Sequence, residues 1–261
     1  MNSVEGSNFI LEDLISREHL ILRNKVTDVA AAFELVLPTD GVGKIRRPLI
    51  IGIDGSVTAG KSFLATALHK YLTGKSVNCV IVHGDWFMVS RAQRKKEIEK
   101  AAKGGYRISS YDAIACDFAA LARTQARIRD FLNSGRDHDT IIIPNAYNRE
   151  TGELDRTIRL ELSETSVVVI EGTGVLGAEA EQIFDLSIRV DVGTYEETIR
   201  RLVARETEKA LPQRLEEKFI KERYDLIDCP YDQYLRSRDS RYFEFLLDTS
   251  EPTAMRLYGR S

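Results

Sequence analysis

An α/β fold, with a mainly parallel sheet covered on both faces by helices, is what the sequence predicts. Two observations carry the prediction. Short apolar runs of the kind that form buried strands alternate along the chain with helical patterns, which implies βαβ crossovers. One of those runs, Pro48 to Asp54, leads straight into a glycine-rich turn and a helical pattern. That places a turn at the C-terminal edge of the sheet, where such folds bind ligands.

The elements follow in order. Val26, Val29, Ala30, Phe33 and Leu37 recur at helical spacing, until Pro38, Asp40, Gly41 and Gly43 break the pattern. This helix packs on the core or, alternatively, makes a homo-oligomer contact. Pro48 to Asp54 reads as the first buried strand, followed by a helix over Lys61 to Tyr71. A longer helix is expected from Ile114 to Leu132, where Ile114, Phe118, Leu121, Ile128 and Leu132 share a face. Further strands are expected at Asn78 to His83, Thr140 to Ile143, Val167 to Ile170, Leu186 to Val192 and Phe243 to Leu247. Thr140 to Tyr147 and Arg156 to Ser163 flank Glu150-Thr-Gly-Glu153 and read as an inserted β-hairpin.

Composition narrows the class without naming the chemistry. The 261 residues carry 37 basic and 40 acidic side chains, a net charge of −3. That balance argues against a general nucleic-acid coat. No apolar run reaches the roughly 18 residues needed to span a bilayer, and Met1 to Ser16 lacks the apolar centre of a signal peptide. Three separated cysteines, Cys79, Cys116 and Cys229, suit a reducing compartment, so a cytoplasmic location with no nucleic-acid or membrane partner is expected. The four histidines show no metal-ligand spacing.

The most specific signal is Gly55-Ser-Val-Thr-Ala-Gly60-Lys61-Ser62, which fits G-x-x-x-x-G-K-[ST] between a strand and a helix. Backbone amides of such a loop turn inward on phosphate oxygens, and the helix N-terminus adds partial positive charge there. Lys61 supplies a mobile cation for the β- and γ-phosphates, and Ser62 a hydroxyl for Mg²⁺. Gly55, Ser56, Val57, Thr58, Ala59, Gly60, Lys61, Ser62 and Phe63 are therefore the expected nucleotide-binding residues. The fold sharpens to a P-loop NTPase, a three-layer α/β/α sandwich, with ATP and Mg²⁺ as cofactors. No N/T-K-x-D segment marks a GTPase, and no LSGGQ-like stretch marks a transport ATPase. Two acidic residues follow predicted strands instead: Asp85 in His83-Gly-Asp-Trp-Phe-Met88, and Glu171 in Val167-Val-Val-Ile-Glu-Gly172. Phosphoryl transfer to an alcohol needs a phosphate cradle, Mg²⁺ and a carboxylate to take the hydroxyl proton.

From Arg46 to Ser250 the chain resembles the uridine kinase and phosphoribulokinase family of P-loop kinases. The resemblance rests on Ile53-Asp-Gly55 through Ser62, Asp85-Trp-Phe87-Met88, Pro144 to Asn148, Glu171-Gly172 and Arg200-Arg201-Leu-Val-Ala-Arg205-Glu206. A partial echo of the family's D-H-P-D-A-F-D segment lies at Tyr111-Asp112 to Phe118. The resemblance implies that Asp85 is the general base and, with Ser62 and Glu171, holds the metal. It also implies that Asp112, Tyr147, Trp86 and Phe87 meet the acceptor. Arg201 and Arg205, on a helical lid, would join Lys61 in neutralising the transferring group. Residues 1–45 then form an N-terminal helical extension and 46–261 the kinase domain.

Plainer readings stand beside these. Asp112 serves equally as the cap of a helix beginning near Ala113, and Tyr147 as hairpin packing. The Arg200 to Arg205 group also fits a solvated face, and Arg91 to Lys103 an exposed helix face. His83 fits a structural role. Arg236, Arg238 and Arg241 pair with nearby carboxylates or bind a second anionic group. Nucleoside kinases of the family carry Y-D-x-x-x-H-x-R, whose histidine contacts the pyrimidine, whereas here the stretch is Tyr147-Asn-Arg-Glu-Thr-Gly-Glu153. The expected activity is ATP- and Mg²⁺-dependent transfer of the γ-phosphate to a small-molecule hydroxyl, first of all on a nucleoside. The alternatives are a pantothenate- or sugar-type alcohol, a nucleoside monophosphate, or a non-catalytic ATP-binding switch.

Overall fold

The structure, a computed structural model, describes residues 20–22, 37, 48–105, 115–176, 183–207, 215–230, 233, 244–250 and 255–259. Its main sheet has the order β1-β9-β8-β7-β2-β6-β3. The parallel centre consists of β2 (Leu49–Gly55), β3 (Cys79–His83), β6 (Val167–Glu171), β7 (Leu186–Asp191) and β8 (Phe245–Asp248). β9 (Met255–Gly259) runs antiparallel to β8, and β1 (Leu20–Leu22) antiparallel to β9.

Strand periodicity sorts the core into two layers. Leu49, Ile51, Ile53, Val167 and Val169 face one apolar cluster, together with Leu64, Leu68 and Leu72 of α1 (Lys61–Gly74). Ile50, Val168, Ile170 and Val82 face the other, with Leu121, Ile128 and Phe131 of α3 (Phe118–Asn133). A period of two sends neighbouring residues to opposite faces, and a parallel sheet needs both faces covered. Full burial of each such Leu or Ile contributes about 1.5–3 kcal/mol. The second layer also takes in a separate two-stranded sheet, β4 (His138–Ala146) and β5 (Arg156–Ser163). Its register slips between Ile143 and Ala146, at Pro144 and at Asn145 with φ 53°. Proline cannot donate to a ladder, so an irregularity is where it is tolerated.

Three expectations need correction. The helix expected from Ile114 begins at Phe118, because Asp117 caps it by accepting from the Ala120 amide at 2.8 Å. Asp112, read as a helix cap or an acceptor ligand, lies outside the described residues. Phe245 to Asp248 is not the last strand, since β9 follows it and its register sets Leu247 against Leu257. In the span read as a helical extension, Leu20–Leu22 is an edge strand and Leu37 is buried in the first core layer. A three-residue strand is too short to show a period. Arg236, Arg238 and Arg241 lie outside the described residues.

α1 starts abruptly at the phosphate loop. Its N-cap is Gly60, left-handed at φ 102°, with no side-chain cap. The first-turn amides are therefore not used by a capping side chain, as an anion site requires. Gly55 meets a harder limit: a Cβ there would lie 2.0 Å from the Val190 carbonyl oxygen, whereas one at Gly60 would meet nothing within 4 Å. Gly55→Ala should therefore lower unfolding stability by about 3 kcal/mol or more, through forced backbone displacement. Gly60→Ala should cost about 1–2 kcal/mol, from conformation alone. Denaturant unfolding of the two variants checks the order.

Candidate active site

The ends of β2, β6 and β3 bring the site together. Their registers set Ile53 opposite Glu171, and Glu171 opposite His83. Beyond that register the chains nearly touch at Gly84 and Gly172. A Cβ on Gly172 would lie 2.9 Å from the Gly84 Cα, and one on Gly84 would be 3.2 Å from the Glu171 carbonyl oxygen. Only glycines allow this approach without a shift. It fixes the 3₁₀ turn Gly84–Phe87, and hence Asp85, beside the Glu171 strand end.

Glu171 is 5% exposed. One carboxylate oxygen is 2.6 Å from His83 Nδ1, and the other accepts from the Ser62 hydroxyl at 3.2 Å. Phosphate loop and strand-end carboxylate thus meet directly. Among the described residues no group of three or more His, Cys, Asp or Glu side chains is placed to hold a metal ion. Ser62 and Glu171 are the residues that would hold Mg²⁺, an ion that takes one or two protein groups and keeps several waters. Asp85 is exposed at its turn.

Lys61 folds back on the loop, donating to the Gly55 and Ser56 carbonyls at 2.9 and 2.7 Å. Ser56 Oγ, buried beneath the loop, has no hydrogen-bond partner. Thr58 supports the loop's curve from the left-handed region, at φ 60°. Phe63 is exposed on the first turn of α1.

The two arginines expected to act together separate. On α4 (Tyr195–Thr207), Arg201 donates to Glu197 at 2.7 Å, to Thr249 Oγ1 at 3.0 Å and to the Thr58 carbonyl at 3.4 Å, and it also bonds the Thr249 carbonyl. Thr249 in turn donates to the Ala59 carbonyl at 3.0 Å. Arg201 therefore braces α4 and the loop after β8 against the phosphate loop, with its guanidinium hydrogen bonds spent on Glu197, Thr249 and Thr58. Arg205, one turn on, is exposed and stands in the field of Asp85. Desolvation, then the like charge of Arg149, lowers its guanidinium pKa, while Asp85 opposes the fall.

On the acceptor side the aromatic residues divide. Phe87 is 4% exposed and packs in the second core layer, so it is a core residue and not an acceptor contact. Trp86 is half-buried, its ring 5.1 Å from the His83 ring in an edge contact. The Tyr147 amide donates to the Trp86 carbonyl at 2.8 Å. Arg94 of α2 (Arg91–Gly104) lies over the Tyr147 ring at 4.5 Å and donates to its hydroxyl at 2.8 Å. Tyr147 thus holds Arg94 instead of offering that face to an acceptor. The rest of α2 is largely exposed, with Lys95–Glu99 and Lys100–Glu97 pairs.

Asp54 was missed in the sequence. It is 1% exposed and accepts from the amides of Gly55, Gly174 and Leu176 at 2.6, 3.0 and 3.1 Å. Burial raises its pKa, and those amides together with Lys61 pull it back. The signal was a carboxylate inside an apolar strand, which has to find buried donors. Its grip on Gly174 and Leu176 leaves Val175 packed against Gly84 and Gly172.

Residues 50–210 match the family model described as Phosphoribulokinase / Uridine kinase family. The chain belongs to this family of kinases. Uridine-cytidine kinase D of Dictyostelium discoideum is 26% identical over 158 residues, which is 60% of this chain and 26% of that relative. The match thus spans about a quarter of the relative's length. A structure described as a possible uridine kinase from Bacillus stearothermophilus superposes with TM-score 0.50 at 23% identity, covering 77% of this chain and 97% of that one. Phosphoribulokinase from Rhodobacter spheroides gives 0.53 at 16%, covering 82% and 80%. These two share the P-loop kinase fold. No helix among the described residues is long and apolar enough to cross a membrane.

Glu197 gives the site an acid limit. Hydrogen bonds from Arg200, opposed by burial and helped by Arg201, hold its carboxyl down at about 2 against an ordinary 4.5. A depressed carboxylate pKa stabilises the fold above the unfolded value, and that contribution is lost as pH falls through the folded one. Melting temperature should therefore drop between pH 4.5 and about 2, and Glu197→Gln should remove this part of the drop.

Proposed function

We propose that this kinase transfers the γ-phosphate of ATP, with Mg²⁺, to a hydroxyl of a small metabolite. The observation that carries the reading is the Ser62–Glu171 contact at 3.2 Å, with the Asp85 turn fastened beside it by the Gly84–Gly172 approach. Loop amides and Lys61 cradle the phosphates; Lys61 leaves the Gly55 and Ser56 carbonyls to do so. Ser62 and Glu171 would hold Mg²⁺, which would supply positive charge against the phosphates. Asp85 takes the acceptor's proton. Its exposure at a strand end suits a base that meets a diffusing substrate, and Arg205 faces the group in transfer. Family membership supports a small-molecule acceptor.

The hydroxyl reading needs a base, whereas a phosphate acceptor does not. Asp85→Asn should keep ATP affinity within a few-fold and lower turnover about 100-fold or more. The measurement is label transfer from γ-labelled ATP to metabolite pools, beside calorimetric ATP binding. Unchanged turnover in Asp85→Asn would remove Asp85 as the base.

A further inference from the structure

Several arginines away from the Asp85 turn pair with carboxylates: Arg127 and Arg136 with Asp139, Arg129 with Asp185, Arg200 and Arg201 with Glu197. Those around the turn do not. Arg94 is held by neutral partners only, the Tyr147 hydroxyl and ring and the Val89 carbonyl. Arg149 uses its backbone, whose carbonyl accepts from Arg91 at 2.9 Å, and its side chain has no ion-pair partner among the described residues. The same holds for Arg205 and for Arg223, at the end of α5 (Glu217–Arg223).

Backbone bonds fix where these arginines stand. Tyr147 N to Trp86 O at 2.8 Å ties the hairpin end to the Asp85 turn. Arg91 N to Gly152 O at 2.8 Å ties the following loop to the start of α2, and Asn148 N to Glu153 O at 2.8 Å closes that loop on itself. Arg149 lies inside it, one residue from Asn148. Arg205 lies within electrostatic reach of Arg149, Arg223 and Asp85, and Cys116 within reach of both Arg94 and Asp85. Arg149 and Arg223 therefore gather around Arg205, which itself lies near Asp85, and Arg94 is tied through Tyr147 to the Asp85 turn. Like charges held this close repel, and the cost is offset when an anion enters among them. The planar arginine fork suits phosphate and carboxylate oxygens in particular.

One of these cations is already used by the chemistry, since Arg205 faces the transferring group. Of the other three, Arg94 and Arg149 are the two tied to the Asp85 turn through Tyr147 and the loop that follows it. We infer that the acceptor is an alcohol carrying its own oxyanion group, a phosphate monoester or a carboxylate, held by Arg149 and Arg94 while its hydroxyl faces Asp85. The inference rests on the kinase reading above and goes further by naming the substrate class.

The test offers γ-labelled ATP and Mg²⁺ with matched acceptors: neutral sugars and nucleosides, sugar phosphates, and hydroxy acids. Label should appear on sugar phosphates or on hydroxy acids with at least tenfold higher kcat/KM than on any neutral alcohol, and the two arms distinguish phosphate from carboxylate. With the preferred acceptor, Arg149→Gln should raise the acceptor's KM about tenfold or more. The KM for ATP should stay within a few-fold, and Arg149→Lys should recover part of the loss. Preferred labelling of a neutral alcohol, or an acceptor KM indifferent to Arg149→Gln, would overturn the oxyanion site and leave the kinase reading intact. No label on any acceptor, with the protein folded and binding ATP, would overturn both.

Discussion

Two strand ends that touch at Gly84 and Gly172 are the constraint on which the site depends. Parallel pairing of β3 with β6 is ordinary sheet chemistry as far as His83 and Glu171. One residue further, side chains would force the chains apart, and glycine at both positions lets them stay together. The Asp85 turn and the Glu171 carboxylate are therefore fixed relative to each other by backbone, not by a side-chain bond that thermal motion breaks. Under the proposed mechanism, the metal-side carboxylate Glu171 and the base Asp85 would both be placed by this crossing.

Buried polar groups reinforce that crossing from below and from the side. Asp54 clamps the amides of Gly174 and Leu176, which holds Val175 against both glycines. His83 and Ser62 each bond one oxygen of Glu171, leaving its carboxylate little freedom to rotate. Arg201 and Thr249 do for the phosphate loop what Asp54 does for the Gly172 turn, tying its Thr58 and Ala59 carbonyls to the lid helix and the β8 loop. Asp54, Glu171 and Thr249 are buried, where unmade hydrogen bonds are costly. The neighbouring cysteines take no part: burial pushes the thiols of Cys79 and Cys116 up to about 12, so they stay protonated.

Much of this architecture was readable in the residues. Apolar runs marked β2, β3, β6, β7 and β8 because fully buried strands need continuous apolar side chains. The phosphate loop was readable because its glycines and Lys61 serve one purpose at one spacing. What escaped has physical reasons. β1 is a three-residue edge strand whose one partner is β9, and β9 is a short strand held between β1 and β8, so both are set by pairing rather than by pattern. Arg201 and Arg205 share one helix face in sequence, yet Glu197 and Thr249 capture the first and not the second. Phe87 looked like a site residue through its neighbours, but a tight turn sends Asp85 outward and Phe87 into the core. Tyr147 looked like an acceptor platform, and Arg94, whose position comes from another helix, covers its ring.

The backbone crossing separates two properties that a general loss of structure would lower together. On the proposed mechanism, nucleotide affinity would depend on the loop after β2, and transfer on the alignment of Asp85 with Glu171. Gly172→Ala places a Cβ where only 2.9 Å is free, and a displacement near 1 Å at reacting groups costs roughly 100-fold in rate. Single-turnover phosphoryl transfer, measured beside ATP binding on the folded variant, tests this most directly. A fall in transfer of about 100-fold, with ATP affinity kept within a few-fold, is the predicted result. Transfer at the wild-type rate in Gly172→Ala would contradict the account.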